Sequence, residues 1–198
     1  MAKILFGTAP ENLLEKYRNA LKHFSSQEFS EKLSDDEFES HRTHNAKAAL
    51  DFPWSCQRMS PAQFDASLRE FPWNALKNEH SCHRMNDFQF GWAVKKAPWA
   101  ALEYRHSFSR LTTDQFSECL SREPFSPIVL PHVAEIIDGT ILESAIFRYP
   151  EIAMKNPWVF QKAAVEMVIC FVEQNEAASS IPEVVEILSE RSFLRCVR

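Results

Sequence analysis

One sequence phrase recurs through the chain every 26 residues, and this recurrence limits the fold more than any other feature. The stretches "EFPWNALKNEHSCHRM" (70–85) and "KAPWAALEYRHSFSRL" (96–111) align without insertions. One position of each unit is always apolar: Leu33, Met59, Met85, Leu111 and Ile137. Recurrence at fixed spacing is typical of stacked supersecondary units, because one unit alone cannot bury its apolar face.

Each unit begins with the pattern of an amphipathic helix, which we call helix A. The residue after the apolar position is always of an N-cap type: Ser34, Ser60, Asn86, Thr112 and Asp138. A large apolar residue follows four positions later: Phe38, Phe64, Phe90, Phe116 and Leu142. A cap oxygen accepts from the free N–H groups of the first turn, and the apolar spacing forms one buried face. The pattern predicts a helix A of about 11 residues in every unit.

A second, shorter helix is predicted where proline recurs after helix A. The recurring prolines are Pro72, Pro98, Pro124 and Pro150. Proline lacks an N–H group, which a first helical turn does not need. Four residues after each proline comes an apolar residue: Leu76, Leu102, Ile128 and Met154. Helix A and this helix B together predict a helical hairpin as the repeating unit.

The sequence therefore predicts an all-α fold, a short α-solenoid of stacked helical hairpins, as a single domain over residues 1–198. Its predicted segments are an N-terminal cap (1–32), a five-unit repeat array (33–154) and C-terminal capping helices (155–198). Within the last segment, Asn156 and Pro157 predict the start of a longer helix that continues to about Glu173.

The phrase cap-x-x-x-Phe followed by Pro-Trp-x-Ala-Leu resembles, at the level of class, the two-helix repeats of α-solenoids such as tetratricopeptide and HEAT repeats. The 26-residue unit is shorter than theirs. Its length is nearer to that of the leucine-rich-repeat variants, which alternate an α-helix with a short 3₁₀ helix. The resemblance covers residues 33–154 and implies a fold, without an activity, a cofactor or site residues.

Composition bears on partners and location. A net charge of −5 and a pI near 5.8 give no overall basic field, so nucleic acid is disfavoured as a partner. No apolar stretch reaches the ~20 residues that a membrane span requires, so we predict no membrane association. Five cysteines and an opening "MAKILFGTAPENLL" without a secretory pattern predict reduced thiols and a cytoplasmic location.

Two columns of equivalent residues lie outside the predicted core. One column contains Trp54, His80, His106, His132 and Trp158, and the other contains Arg58, Arg84 and Arg110. The arginines lie beside helix N-termini, which carry partial positive charge, and this predicts a docking strip for carboxylates or phosphates. The alternative is that they pair with nearby acids: Asp36, Asp87 and Asp114. The alternative for the histidines is that they end helix B and bond its free carbonyls.

His80, Cys82 and His83 form a local cluster of metal-ligand types, with Cys56 one unit earlier. The cluster lacks the Cys-x-x-Cys spacing of zinc sites. Histidines of one column cannot share an ion in threes, because packed helices lie ~8–10 Å apart and zinc needs nitrogen ligands at ~2.0–2.1 Å. We therefore expect no bound metal and no cofactor.

No nucleophile elbow, phosphate loop or HExxH motif occurs, so we predict no enzymatic activity. We predict a non-enzymatic protein–protein interaction module: an adaptor, an inhibitor or an immunity-type protein that binds another protein. The predicted partner-binding residues are Arg58, Arg84, Arg110, His80, His106, His132, Trp54 and Trp158. Two alternatives stay open: nucleic-acid binding along the arginines with Trp54 and Trp158, and a metal-dependent enzyme at His80, Cys82 and His83.

Overall fold

A computed structural model describes the backbone of residues 11–196 and the side chains of residues 15–190 except residue 17. Every regular element between residues 11 and 196 is a helix, and no strand occurs there. The predicted all-α class is therefore confirmed. Over the same described residues, none of the helices has the length and apolar character needed to cross a membrane.

The repeating unit contains three helices, so the prediction of a two-helix hairpin is wrong. Helix A has ten residues, and it is followed by helix B and by a third helix, which we call helix C. The helices before the fourth helix A are α1 (Glu11–Phe24), α2 (Gln27–Lys32), α3 (Asp35–His44), α4 (Ala46–Asp51), α5 (Pro53–Arg58), α6 (Pro61–Glu70), α7 (Pro72–Lys77), α8 (Glu79–Arg84), α9 (Asp87–Lys96), α10 (Pro98–Glu103) and α11 (Arg105–Phe108). The remaining elements are α12 (Thr113–Arg122), α13 (Ser126–Val129), α14 (Pro131–Ala134), α15 (Gly139–Arg148), α16 (Pro150–Lys155), the 3₁₀ helix η1 (Pro157–Lys162), α17 (Val165–Gln174), the 3₁₀ helix η2 (Glu176–Ser180) and α18 (Pro182–Cys196).

One extended residue separates helix B from helix C. In the repeat formed by α6, α7 and α8, this residue is Asn78, with φ −96° and ψ 125°. The buried Ser81 of helix C then donates its hydroxyl to Ala75 O of helix B at 2.9 Å. Ser55 makes the equivalent bond to Ala49 O, also at 2.9 Å. These bonds hold the chain in a turn where the sequence pattern alone suggests a continuous helix.

The N-caps of helix A are confirmed, and they are stronger than the sequence analysis predicts. Ser34, Ser60 and Asn86 each accept from the N–H of the residue three positions later. The side chain of that residue returns to the N–H of the cap, which completes a capping box in these three repeats. Asp138 is also a cap, but it accepts from Thr140, two positions later. The residues that close the boxes are Glu37, Gln63 and Gln89.

The 26-residue pattern continues beyond residue 154. The predicted helix from Asn156 and Pro157 to about Glu173 is instead two elements, η1 and α17. Extended backbone at Ala163 and Ala164 separates them, with ψ angles of 156° and 142°. The chain therefore keeps the order of helices A, B and C, with η1 in the place of helix C and α17 in the place of helix A.

The chain divides into two compact units, Met1–Gln115 and Phe116–Arg198. In the first unit, successive B helices contact one another, as do successive C helices. Phe64 and Phe90 are 2 % exposed there, so equivalent residues occupy equivalent environments. The second unit has its own core, formed by Ile128, Leu142, Ala145, Ile146, Ala153, Val159, Phe160, Met167, Val168, Phe171, Ala178 and Val184. The predicted single domain over residues 1–198 stays a prediction.

Candidate functional site

The arginine column lies between successive repeats of the first unit. Arg84, at the end of helix C, donates to Cys56 O and Met59 O at the end of the preceding helix C. Its Cζ also lies 4.5 Å from the centroid of the Phe64 ring. The guanidinium thus places its charge at the negative end of a helix and against the face of an aromatic ring.

The other two arginines repeat this arrangement, Arg58 one repeat earlier and Arg110 one repeat later. Their partners are Ser30 O, Leu33 O and the Phe38 ring for Arg58, and Cys82 O, Met85 O and the Phe90 ring for Arg110. Each column arginine is therefore engaged within the chain, and it connects one repeat to the repeat before it.

Two of the arginines also contact acids, as the alternative interpretation anticipates. Arg110 lies 3.7 Å from the carboxylate of Asp87, which is one of the acids named from the sequence. Arg58 lies 3.0 Å from Asp35. Both carboxylates are fully exposed, so water screens these pairs and they contribute little to stability.

The column of histidine and tryptophan residues makes a second set of connections between repeats. His80 Nε2 lies 2.7 Å from Leu50 O, and His106 Nε2 lies 2.7 Å from Leu76 O. Trp54 Nε1 donates to Phe24 O, also at 2.7 Å. A carbonyl oxygen can only accept, so Nε2 of His80 and of His106 carries a hydrogen. These rings lie in the first turn of helix C and bond carbonyls near the end of a helix in the preceding repeat.

The two members of this column in the second unit are half-buried. His132 is the second residue of α14, as His80 is of α8. Trp158 packs against the core of its own unit. The structure therefore gives structural contacts to several of the eight predicted partner-binding residues, and their role in partner binding stays a prediction.

The three residues of the candidate metal cluster are not brought together. Cys82 is fully buried with its sulfur 3.6 Å from the hydroxyl of Ser107, while His80 faces Leu50 O and His83 is exposed. Burial raises the pKa of Cys56 to about 11, which disfavours the thiolate that a metal requires. Among the residues that the structure describes, no three His, Cys, Asp or Glu side chains are placed to hold an ion.

Trp54 and Arg58 are brought together at a surface cavity of about 420 Å³ in the first unit. Gln27, Glu31 and Gln57 complete most of its rim. Tryptophan and arginine are the residues most often important at protein interfaces. This cavity is the place where two of the predicted partner-binding residues share one surface.

A second surface, which the sequence analysis missed, lies on the outer side of α6 and α9. Phe88 is 78 % exposed, and Trp92 lies one helical turn further along α9. The guanidinium carbon of Arg69 is 5.6 Å from the Trp92 ring centroid, and Lys96 Nζ is 5.9 Å from it. With Ala62 and Ala66, these residues form what we call the α6–α9 face. Its sequence signal is an aromatic residue in a column whose other members in the first unit are Asp36, Ala62 and Asp114.

No protein-family model, curated protein or solved structure matches this chain.

Proposed function

We propose that the chain is a short α-solenoid and a non-enzymatic protein–protein interaction module, an adaptor, inhibitor or immunity-type protein of the cytoplasm. The observation that carries this proposal is the pair of connections that recurs between repeats of the first unit. Arg84 and Arg110 repeat one of them, and His80 and His106 repeat the other. Repeats connected in this way present their A helices in a fixed register.

A fixed row of helices favours binding of a large partner. Association costs less free energy when the binding surface is ordered before the partner arrives. The residues inside the row recur, as Phe64 and Phe90 do, whereas the outward residues differ from unit to unit. Such a protein keeps one internal framework and varies its surface, which suits specific recognition of another protein.

The contacts of the arginine column argue against the alternative of nucleic-acid binding. Arg58, Arg84 and Arg110 already donate to backbone carbonyls, and the net charge of the chain is −5. A single-stranded RNA probe tests this directly by fluorescence anisotropy at low salt. We expect no binding; binding that weakens steeply with salt and with Arg84→Ala would favour the alternative.

The proposed function is tested by affinity capture with the tagged full chain, followed by chemical cross-linking and mass spectrometry. We expect a captured protein that the untagged chain displaces, with cross-links to the surface around Trp54. Trp54→Phe should reduce the captured amount, because the smaller ring removes contact area from the cavity edge. The variant also loses the bond from Nε1 to Phe24 O, so urea unfolding is measured beside capture to separate lost contact from lost stability. Trp73→Phe is the matched control, since Trp73 is 38 % exposed and lies outside the column. Catalytic turnover of a small molecule with no captured protein would refute the proposal.

A further inference from the structure

The α6–α9 face carries the most exposed large apolar side chain among the described residues, Phe88. Phe88 and Trp92 occupy one side of α9, and the equivalent positions of α6 are the exposed Ala62 and Ala66. Helices α6 and α9 contact each other, so a row of small side chains lies beside a row of large ones. We call this step from small to large side chains the groove of the α6–α9 face.

Positive charge lies at the end of this groove. The side chains of Arg69 and Lys96 both lie within 6 Å of the Trp92 ring, and both residues are exposed. Arg69 uses its Nε to bond Asp65 at 2.8 Å, and Asp65 also accepts from Gln89 at 3.2 Å. Asp65 balances the charge of Arg69, so Lys96 leaves an excess of positive charge beside the Trp92 ring.

The other acids of these helices have cationic neighbours. Asp87, beside Phe88, lies 3.7 Å from Arg110. The hydrogen bond with Glu39 raises the pKa of Arg42, and the negative charge of Glu70, at the end of α6, adds to this effect. The groove therefore combines apolar side chains with cations at one end. A ligand that has apolar groups and negative charges would match it.

We infer that the α6–α9 face binds an acidic amphipathic helix of a partner protein, an inference that rests on the proposed interaction function. Two apolar side chains one turn apart on the partner match Phe88 and Trp92, which lie about 6 Å apart along the helix axis. Carboxylates on the flank of the partner helix reach Arg69 and Lys96. Aromatic and arginine residues supply most of the binding energy at such interfaces.

The test is a selection of random peptides displayed on phage against the immobilised full chain, followed by anisotropy measurements with synthetic copies of the enriched peptides. We expect acidic peptides with apolar residues four positions apart, and their affinity should fall with salt. Phe88→Ala should weaken binding about tenfold without loss of fold, because Phe88 is 78 % exposed.

Charge reversal separates the electrostatic part of the inference from the apolar part. The double variant Arg69→Glu with Lys96→Glu should weaken acidic peptides about tenfold or more, since carboxylates then face carboxylates. Lys22→Glu with Lys32→Glu makes the same change of charge at exposed positions elsewhere and should leave affinity within about twofold. Circular dichroism verifies that each variant is folded, and Lys96→Glu alone gives a milder version of the same test.

Several outcomes would overturn the inference. Enriched peptides that are not acidic would refute the charge assigned to the partner, and peptides that bind the Phe88→Ala variant as well as the parent would place recognition on another surface. That result would leave the proposed interaction function intact, because affinity capture tests it separately. A selection that enriches no peptide would also overturn the inference. So would Phe88-dependent sedimentation with phosphatidylserine vesicles in place of peptide binding, since this would identify the occupant as a lipid surface.

Discussion

Replacing Arg84 by alanine tests whether the arginine column holds successive repeats together. The side chain makes two charge-assisted hydrogen bonds, to Cys56 O and Met59 O, and covers the Phe64 ring at 4.5 Å. Hydrogen bonds from a charged group are worth about 1.5–3 kcal/mol each, and a partly exposed cation–π contact about 0.5–1 kcal/mol. Water reaches this partly buried site and offsets some of the loss. We expect Arg84→Ala to lower the free energy of unfolding by about 2–4 kcal/mol.

Urea denaturation monitored by far-UV circular dichroism measures this change. Arg69→Ala is the matched control, because Arg69 is 56 % exposed in its side chain and pairs with Asp65 four residues earlier on the same helix. Such a pair contributes about 0.3–0.5 kcal/mol, and the exposed contact of Arg69 with the Trp92 ring adds about 0.5–1 kcal/mol. Arg84→Lys should recover part of the loss, since an ammonium keeps the charge but cannot bond two carbonyls in the planar geometry of a guanidinium. If Arg84→Ala costs no more than Arg69→Ala, the column does not join the repeats energetically.

Three further predictions concern titratable groups. At mildly alkaline pH, iodoacetamide should modify the exposed Cys170 well before Cys56, whose pKa burial raises to about 11, as mass spectrometry of the partly alkylated chain will show. Glu39 accepts two of the three hydrogen bonds that the nearly buried Arg42 donates, and these bonds lower the pKa of Glu39. The stabilisation that Glu39 provides is therefore present above its ordinary pKa and is lost as pH falls through the lowered value. Glu39→Gln should therefore cost about 1–2 kcal/mol in urea unfolding at neutral pH, after allowance for its partial exposure, and the gap from the parent should close in acid. Burial lowers the pKa of His41, so its NMR titration midpoint should lie below the ordinary 6.5, and stability should fall as pH drops through that value; a midpoint above 6.5 would contradict this.

The elements that depend on nearby residues could be predicted from the sequence. The caps at Ser34, Ser60 and Asn86 form because a side-chain oxygen meets an N–H three residues away. The turn between helices B and C could not be predicted in this way. In the repeat formed by α6, α7 and α8, the turn occurs at Asn78 without a proline. The hydroxyl of Ser81 stabilises it by donating to Ala75 O of helix B. The local pattern of apolar residues does not predict that hydrogen bond.

The environment of the candidate residues depends on contacts between repeats, which the sequence indicates only indirectly. Arg84 and Cys56 O are 28 residues apart, and His80 and Leu50 O are 30 residues apart. The regular spacing predicts that the residues of one column have similar environments. It does not predict that their partners are carbonyl groups of the preceding repeat. Phe88 was missed for the opposite reason. It departs from its column, so a search for recurrence passes over the residue that makes the surface of one repeat different.

The direction of the arginine bonds has a consequence for how the chain is made. In each repeat of the first unit, the carbonyls that accept belong to the earlier segment and the guanidinium that donates belongs to the later one. A ribosome releases the N-terminal segment first, so every acceptor leaves the exit tunnel before its donor does. Each newly released segment can then dock on a segment that was released before it. None of these arginine bonds depends on an acceptor that is still to be translated.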